Sequence, residues 1–242
     1  MSLRLFIGTL VLPLLLAPAS MAAELRLEPR AVVELFTSQG CSSCPKADAM
    51  LDQLGQRQDI VALAYHVDYW DYIGWKDTFG HADNSELQRD YAAAWGSSRI
   101  YTPQMVVNGS TNVVGSKSHD VDAALGKASL PLEMTLNEHD NMIEVEIPAD
   151  PNLPDAVVWL VTFIDRAEVE IDRGENRGRT LAYTQIVTGR QLLGMWDGAD
   201  GAHLKLPVSE VLTGDTNGAV IMVQQESDGL PGPILGAASI TH

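Results

Sequence analysis

Short apolar runs alternate with helical segments in the first half of the chain. Residues 31–37 form a mostly β-branched apolar run that ends in polar and glycine residues at 38–40, which is typical of a buried strand. Residues 45–54 have apolar positions at helical spacing, and Pro45 is tolerated in a first helical turn. A second apolar run at 59–67 predicts the next strand. This order predicts a parallel pair, because parallel strands need a crossover between them.

The same pattern continues to residue 129 with a helix, a hairpin and a last helix. Residues 83–85 can cap a helix that runs from 87 to 95. Pro103 then precedes a short strand, and the Asn-Gly dipeptide at 108–109 predicts a tight hairpin turn because it tolerates positive φ angles. The last helix is expected to begin near Ser118.

From about residue 132 the pattern changes to regularly spaced strands separated by polar turns. The candidate strands are 132–136, 142–147, 157–164, 180–187, 202–206 and 219–225. Such spacing without strong helices predicts an antiparallel, sandwich-like module. The expected fold class is therefore α/β, with an α/β domain at 24–129 followed by a β-rich module at 130–242.

The first 23 residues have the pattern of a secretory signal peptide. Arg4 supplies one positive charge, an apolar run follows at 5–16, and small residues at 17–23 suit a signal peptidase. The apolar run is shorter than the roughly 20 residues that a transmembrane helix needs, and no later stretch approaches that length. We therefore expect a periplasmic or secreted protein that does not insert into the membrane once the signal is cleaved.

The charge balance excludes one class of partner. The chain carries 16 Lys and Arg residues against 32 Asp and Glu residues, a formal net charge of −16. Such a surface repels nucleic acid and anionic lipid, because binding to phosphate requires clusters of Lys and Arg. No nucleic-acid partner is expected.

The candidate chemistry rests on Cys41 and Cys44, the two cysteines of the chain. A bridge that closes so short a loop stabilises a fold by only about 2 kcal/mol, so the pair favours reactivity over a structural role. We place Cys41 at a helix N-terminus, where unpaired N–H groups and the helix dipole stabilise a thiolate. Cys41 is then the exposed catalytic nucleophile, and Cys44 resolves the mixed disulfide formed with a protein substrate.

Other interpretations of the cysteine pair stay open. One is a static bridge in a binding or scaffold protein, and another is a copper chaperone in which His66 or His81 assists the thiolates. None of the six histidines has zinc-finger spacing, so no metal or other cofactor is expected. His66 ends an apolar strand, which favours a core histidine over a role in proton transfer or metal binding.

Two further segments are candidates for contact with a partner. Residues 68–80 are the densest aromatic cluster of the chain and follow a strand, at the end where open α/β sheets carry their sites. Tyr69 and Trp70 are therefore candidate peptide-binding residues, although packing of this segment against its own domain is the alternative. Residues 174–179 contain two arginines that either clamp a carboxylate or lie on a solvated hairpin tip.

Four segments resemble the secreted family known as domain of unknown function 1223. They are Val33–Pro45, Ala64–Asp71, Tyr101–Gly109 and Gly174–Thr180. This resemblance implies a thioredoxin-like fold for the N-terminal domain. The predicted order of elements also resembles that of thioredoxin, and this second likeness implies a cis proline before the third strand, next to the redox-active cysteine pair, where the Thr102-Pro103 backbone pairs with a bound peptide. The family resemblance implies neither an established substrate nor the redox partner.

Overall fold

The computed structural model describes residues 24–26 and 28–242. The predicted signal peptide, residues 1–23, lies outside the described residues. Across the described ranges, no helix combines the length and the apolar character that crossing a membrane requires.

The first half of the described chain contains five strands and three α-helices in the order that the sequence pattern predicts, after a short first strand. They are β1 (Glu24–Arg26), β2 (Ala31–Thr37), α1 (Pro45–Gly55), β3 (Ile60–His66), α2 (Ala82–Ala94), β4 (Gln104–Val107), β5 (Thr111–Val114) and α3 (Ser118–Leu125). A single turn of 3-10 helix at Asp71–Ile73 lies within the aromatic segment between β3 and α2.

The second half is mostly strands, several of them longer than the sequence pattern indicates. They are β6 (Thr135–His139), β7 (Met142–Ile147), β8 (Ala156–Ile171), β9 (Arg179–Trp196), β10 (Ala202–Pro207), β11 (Gly218–Ser227) and β12 (Leu230–Thr241), with the one-turn helix α4 (Val208–Val211) before β11. The pattern did not indicate β12, because its first half contains Pro231, Gly232 and Pro233, residue types that are depleted in strands.

Strands from both halves of the chain form one sheet. Its nine strands lie in the order β1-β12-β11-β8-β9-β3-β2-β4-β5, while β10, β7 and β6 form a separate antiparallel sheet. β2 and β3 are parallel, as predicted, and β9 joins β3 in parallel at the pair Ala64 and Ile186. The expected α/β class is confirmed as a mixed α/β fold with a large mixed sheet and a smaller antiparallel one.

Both faces of the β2–β3 region are covered by helices. Leu35 and its odd-numbered neighbours on β2 face α1, where Leu51 is buried, and α3. Phe36 and the even-numbered positions face α2, where Tyr91 is buried. This alternation follows from the two-residue period of a strand, and each large apolar side chain buried this way contributes about 1.5–3 kcal/mol. The turn between β2 and α1 is thereby held at the carboxyl ends of the parallel strands.

Candidate functional site

Cys41 and Cys44 form a disulfide in the turn between β2 and α1. Their Cα atoms are 5.4 Å apart. We call residues 38–44 the cysteine turn. Its two halves are closed by hydrogen bonds from Cys41 N to Ser38 O (3.1 Å) and from Cys44 N to Cys41 O (3.2 Å). Helix α1 therefore begins with Pro45 and has Cys44 as its N-cap, so the predicted placement of Cys41 at the helix start is wrong by one turn.

Both cysteines are buried. Cys41 is 1% exposed and Cys44 is fully covered, whereas Ser42 and Ser43 between them are exposed. The expectation of an exposed Cys41 is therefore wrong for the disulfide form. The backbone of the cysteine turn is also contacted by a segment that lies more than 130 residues away in the sequence.

That segment is the tip of the β8–β9 hairpin, residues 172–178, called the hairpin tip below. Asn176, itself 1% exposed, donates from Nδ2 to Gln39 O (2.9 Å) and Cys41 O (3.0 Å). Glu175 Oε2 accepts a hydrogen bond from Ser42 N (3.1 Å), and hydrogen bonding by Ser42 lowers the pKa of the Glu175 carboxyl. Arg179 donates to Asn176 Oδ1 (2.8 Å). This segment therefore docks on the backbone of the cysteine turn beside the disulfide, a role that neither interpretation of its arginines anticipated.

The Thr102-Pro103 peptide bond is cis, as the likeness to the thioredoxin order implies. Trp70 joins it to the cysteine turn, because Trp70 Nε1 donates to Thr102 Oγ1 (2.8 Å) and Trp70 packs closely on Gly40. A Cβ atom on Gly40 would lie 3.1 Å from Trp70 Cβ, so the close contact depends on glycine at that position. The structure thus brings Thr102, Pro103 and Trp70 into one region with Cys41.

The rest of the aromatic segment packs mainly against its own protein. The Tyr69 hydroxyl donates to Gln88 Oε1 on α2 (3.1 Å), and burial raises the pKa of Tyr69 to about 12. Trp75 Nε1 donates to Gln39 Oε1 in the cysteine turn (2.8 Å). Tyr72 differs, since it is 82% exposed. Of the two predicted aromatic contacts, Tyr69 is therefore tied to α2, and Trp70 reaches the Thr102-Pro103 bond.

A pair of buried ionisable side chains lies beneath the cysteine turn. His66 Nδ1 is 2.9 Å from Asp77 Oδ2, and both side chains are fully buried. Burial raises the pKa of Asp77, but interaction with His66 and hydrogen bonds from the backbone of Gln39 and Phe79 outweigh it and leave the pKa below its ordinary value. Asp77 thereby fixes the backbone of the cysteine turn through Gln39.

A second carboxyl group, Asp48, lies near this pair on α1. Asp48 Oδ1 accepts from Thr37 Oγ1 (2.6 Å), and burial raises the pKa of Asp48 to about 7, despite the lowering effects of Thr37 and His66. The His66 ring lies 4.9 Å from that of Tyr183. Within the described residues Asp48 Oδ2, His66 Nε2 and the Tyr183 hydroxyl have no hydrogen-bond partner. Sequence reasoning missed Asp48, although a carboxyl between Ala47 and Leu51 on the apolar face of α1 is a visible signal.

Each of the two histidines considered for copper binding uses its Nδ1 atom in a contact with another residue. His66 pairs with Asp77, and His81 is the N-cap of α2, where its ring accepts from Asp83 N. In the portion of the chain that the structure describes, no three side chains of the metal-binding types His, Cys, Asp and Glu are grouped around a common point.

Two solved structures resemble this chain. The crystal structure of protein AGR_C_4864 from Agrobacterium tumefaciens is 34% identical, with a TM-score of 0.78 over 88% of this chain and 94% of that chain. HBP35 of Porphyromonas gingivalis is 14% identical, with a TM-score of 0.57 over 88% of this chain and 75% of that chain, a likeness of fold alone. No curated protein matches the sequence. The model of a protein family of unknown function, DUF1223, matches residues 32–224, and the chain therefore belongs to that family.

Proposed function

We propose that this protein exchanges thiols and disulfides with other proteins through Cys41 and Cys44. The observation that carries the proposal is a disulfide placed between a parallel strand and its helix, with the cis Thr102-Pro103 bond joined to it through Trp70. Within this proposal, residues 24–129 are a thioredoxin-like unit. The protein is periplasmic or secreted after removal of residues 1–23.

The reaction conserves electrons through two exchanges. In the reduced protein the Cys41 thiolate attacks one sulfur of a substrate disulfide, which forms a mixed disulfide and releases one substrate thiolate. The Cys44 thiolate then attacks Cys41 Sγ, which restores the Cys41–Cys44 bridge and releases the second substrate thiolate. Two electrons pass to the substrate, and a dithiol partner must return two electrons for the next cycle. In the reverse direction the bridge oxidises a substrate dithiol.

Local electrostatics favour a thiolate in the cysteine turn. The N-terminal N–H groups and the dipole of α1 stabilise negative charge beside Cys44, its N-cap residue. The Ser43 hydroxyl oxygen is 3.4 Å from Cys41 Sγ, within reach to donate a hydrogen bond to a thiolate there. Below about pH 7 Asp48 is protonated because its pKa is raised, so it adds no opposing charge on the first turn of α1.

The proposed substrate is a polypeptide. In this arrangement the backbone at Thr102 pairs with the substrate chain, while Trp70 and the exposed Tyr72 supply aromatic contacts beside it. Aromatic side chains are enriched where proteins meet one another, which suits this rim.

Burial of the two cysteines supports a second candidate, a binding or scaffold protein with a static bridge. The reduction potential separates the two candidates. A structural bridge has a potential below about −300 mV, whereas turnover requires a value near that of cellular dithiols.

The direct test is reduction of insulin by the purified protein with a dithiol donor. We expect turnover that Cys41→Ser abolishes, and a stable mixed disulfide with substrate in Cys44→Ser. The matched control is Ser42→Ala, which leaves both sulfurs in place and should retain most of the activity. Wild-type turnover no faster than that of Cys41→Ser would remove the oxidoreductase proposal and favour the scaffold.

A further inference from the structure

The hairpin tip contacts the cysteine turn through polar groups that match those of a peptide backbone. It offers an acceptor, Glu175 Oε2, to Ser42 N, and a donor, Asn176 Nδ2, to the carbonyl oxygens of Gln39 and Cys41. These groups come from parts of the chain that are 133 to 137 residues apart. The contact is therefore a docking of one segment on another.

The hairpin tip can separate from the cysteine turn without disturbing the sheet. The last β8–β9 pair is Ile171 with Arg179, so residues 172–178 lie wholly outside the ladder. Gly178 N donates to Ile171 O, which closes the hairpin tip on itself. Among the described residues, three hydrogen bonds join it to the cysteine turn, and of its side chains only that of Asn176 is buried. Few contacts and exposed backbone are the features of a segment that opens at low cost.

Lifting the hairpin tip leaves two carbonyl oxygens and one N–H group of the cysteine turn without partners. Water can bind these groups once the hairpin tip has lifted, and a ligand with matching backbone groups can take the place of that water. An extended polypeptide does this, because its C=O groups can accept from Ser42 N and its N–H groups can donate to Gln39 O and Cys41 O. A compact folded surface does not present free backbone groups in this way.

We propose that the hairpin tip is a built-in substitute for the substrate, and that the protein acts on extended, unfolded polypeptide segments that displace it from the cysteine turn. This inference rests on the proposed function and deepens it by naming the substrate class. Asn176 is then a positioning residue, since it holds the cover closed and takes no part in sulfur exchange.

The first test is the rate at which dithiothreitol reduces the oxidised protein. This dithiol becomes a cyclic disulfide while Cys41 and Cys44 become thiols, so the electrons balance without another protein. We expect Asn176→Ala and the equally sized Asn176→Asp to be reduced at least about tenfold faster, because each removes two hydrogen bonds that keep the cover closed. Arg177→Ala, an exposed position on the same hairpin tip, should stay within about twofold of the wild type.

The second test is the affinity of the oxidised protein for reduced and alkylated ribonuclease, a permanently unfolded chain without free thiols. Asn176→Ala should bind it about tenfold more tightly than the wild type does, because the competing segment is released. Folded ribonuclease should not bind either protein. Arg177→Ala, on the same hairpin tip, should keep the wild-type affinity, so tighter binding by Asn176→Ala reports the release of its two hydrogen bonds.

Equal reduction rates and equal affinities in the wild type and both Asn176 variants would overturn the inference. Glu175→Ala guards against misfolding, because it removes an exposed side chain and should still accelerate reduction about threefold. The outcomes separate the two proposals. If the Asn176 variants behave as expected but insulin is never reduced, the hairpin tip is a cover and the oxidoreductase proposal fails alone.

Discussion

Asp48 should make the stability of the oxidised protein depend on pH, and one substitution should remove that dependence. The side chain is 8% exposed, and burial raises its pKa from 3.8 to about 7. A carboxyl whose pKa is higher in the folded state favours folding fully below pH 3.8. That favourable contribution is lost as the pH rises through 7, because the fold penalises the charged form.

The magnitude follows from the two pKa values. A rise of the Asp48 pKa from 3.8 to about 7 lowers the unfolding free energy by about 4 kcal/mol well above pH 7, at 1.36 kcal/mol for each pKa unit. As the pH rises from 5 to 8, these two pKa values predict that the unfolding free energy of the wild type falls by about 2.5 kcal/mol. Asp48→Asn keeps an oxygen that accepts from Thr37 Oγ1 and never ionises. Its stability relative to the wild type should therefore rise by about 2.5 kcal/mol over this interval.

The assay is urea unfolding at pH 5 and pH 8 with the disulfide intact. The matched control is Asp52→Asn, one turn further along α1, where the side chain is 37% exposed. Its difference from the wild type should stay within about 0.5 kcal/mol at both pH values. If the difference between Asp48→Asn and the wild type is the same at pH 5 and pH 8, burial does not suppress ionisation of Asp48 and the reasoning is wrong.

Two further substitutions test the packing around the sheet and the site. Gly218→Ala should lower the unfolding free energy by about 3 kcal/mol in urea, because a Cβ atom would overlap the Phe163 ring, and a loss below 0.5 kcal/mol would contradict the close contact. Trp70→Phe should cost at least about 1 kcal/mol, because a smaller aromatic ring replaces the indole and the hydrogen bond to Thr102 is lost. The exposed control Tyr72→Phe should be unchanged, and equal losses in both would contradict a specific role of the Trp70 N–H group.

The elements around the cysteine turn could be predicted from sequence because their signals are local. The apolar run at 31–37 and the helical spacing after Pro45 correspond to β2 and α1 as observed. β12 could not be predicted in the same way, since residues 231–233 are tolerated at a register shift in the pairing with β11 and lie beyond the three residues of β12 that pair with β1. The pairing of β3 with β9 also could not be predicted, because no local pattern specifies which distant strand pairs with β3.

The candidate site likewise has some features that the sequence predicts and others that depend on the tertiary structure. The spacing of Cys41 and Cys44 permits their bridge, and Pro103 stands just before a predicted strand, so both were visible in the sequence. The burial of Cys41 could not be predicted, because it depends on tertiary packing, and the contact of Asn176 with the Cys41 backbone joins residues 135 positions apart. The raised pKa of Asp48 also depends on distant residues, since burial causes it and helix α1 packs against the distant strand β9.

The sequence by itself determined the order of the elements, the short cysteine spacing and the strong negative charge. These follow from neighbouring residues, where backbone sterics and the period of apolar positions act. The tertiary structure decided whether the sulfur atoms meet solvent, which carboxyl group is protonated near neutral pH, and which backbone groups of the cysteine turn are already occupied. Those properties depend on burial and on hydrogen bonds between residues far apart in the chain, and only the assembled sheet brings such residues together.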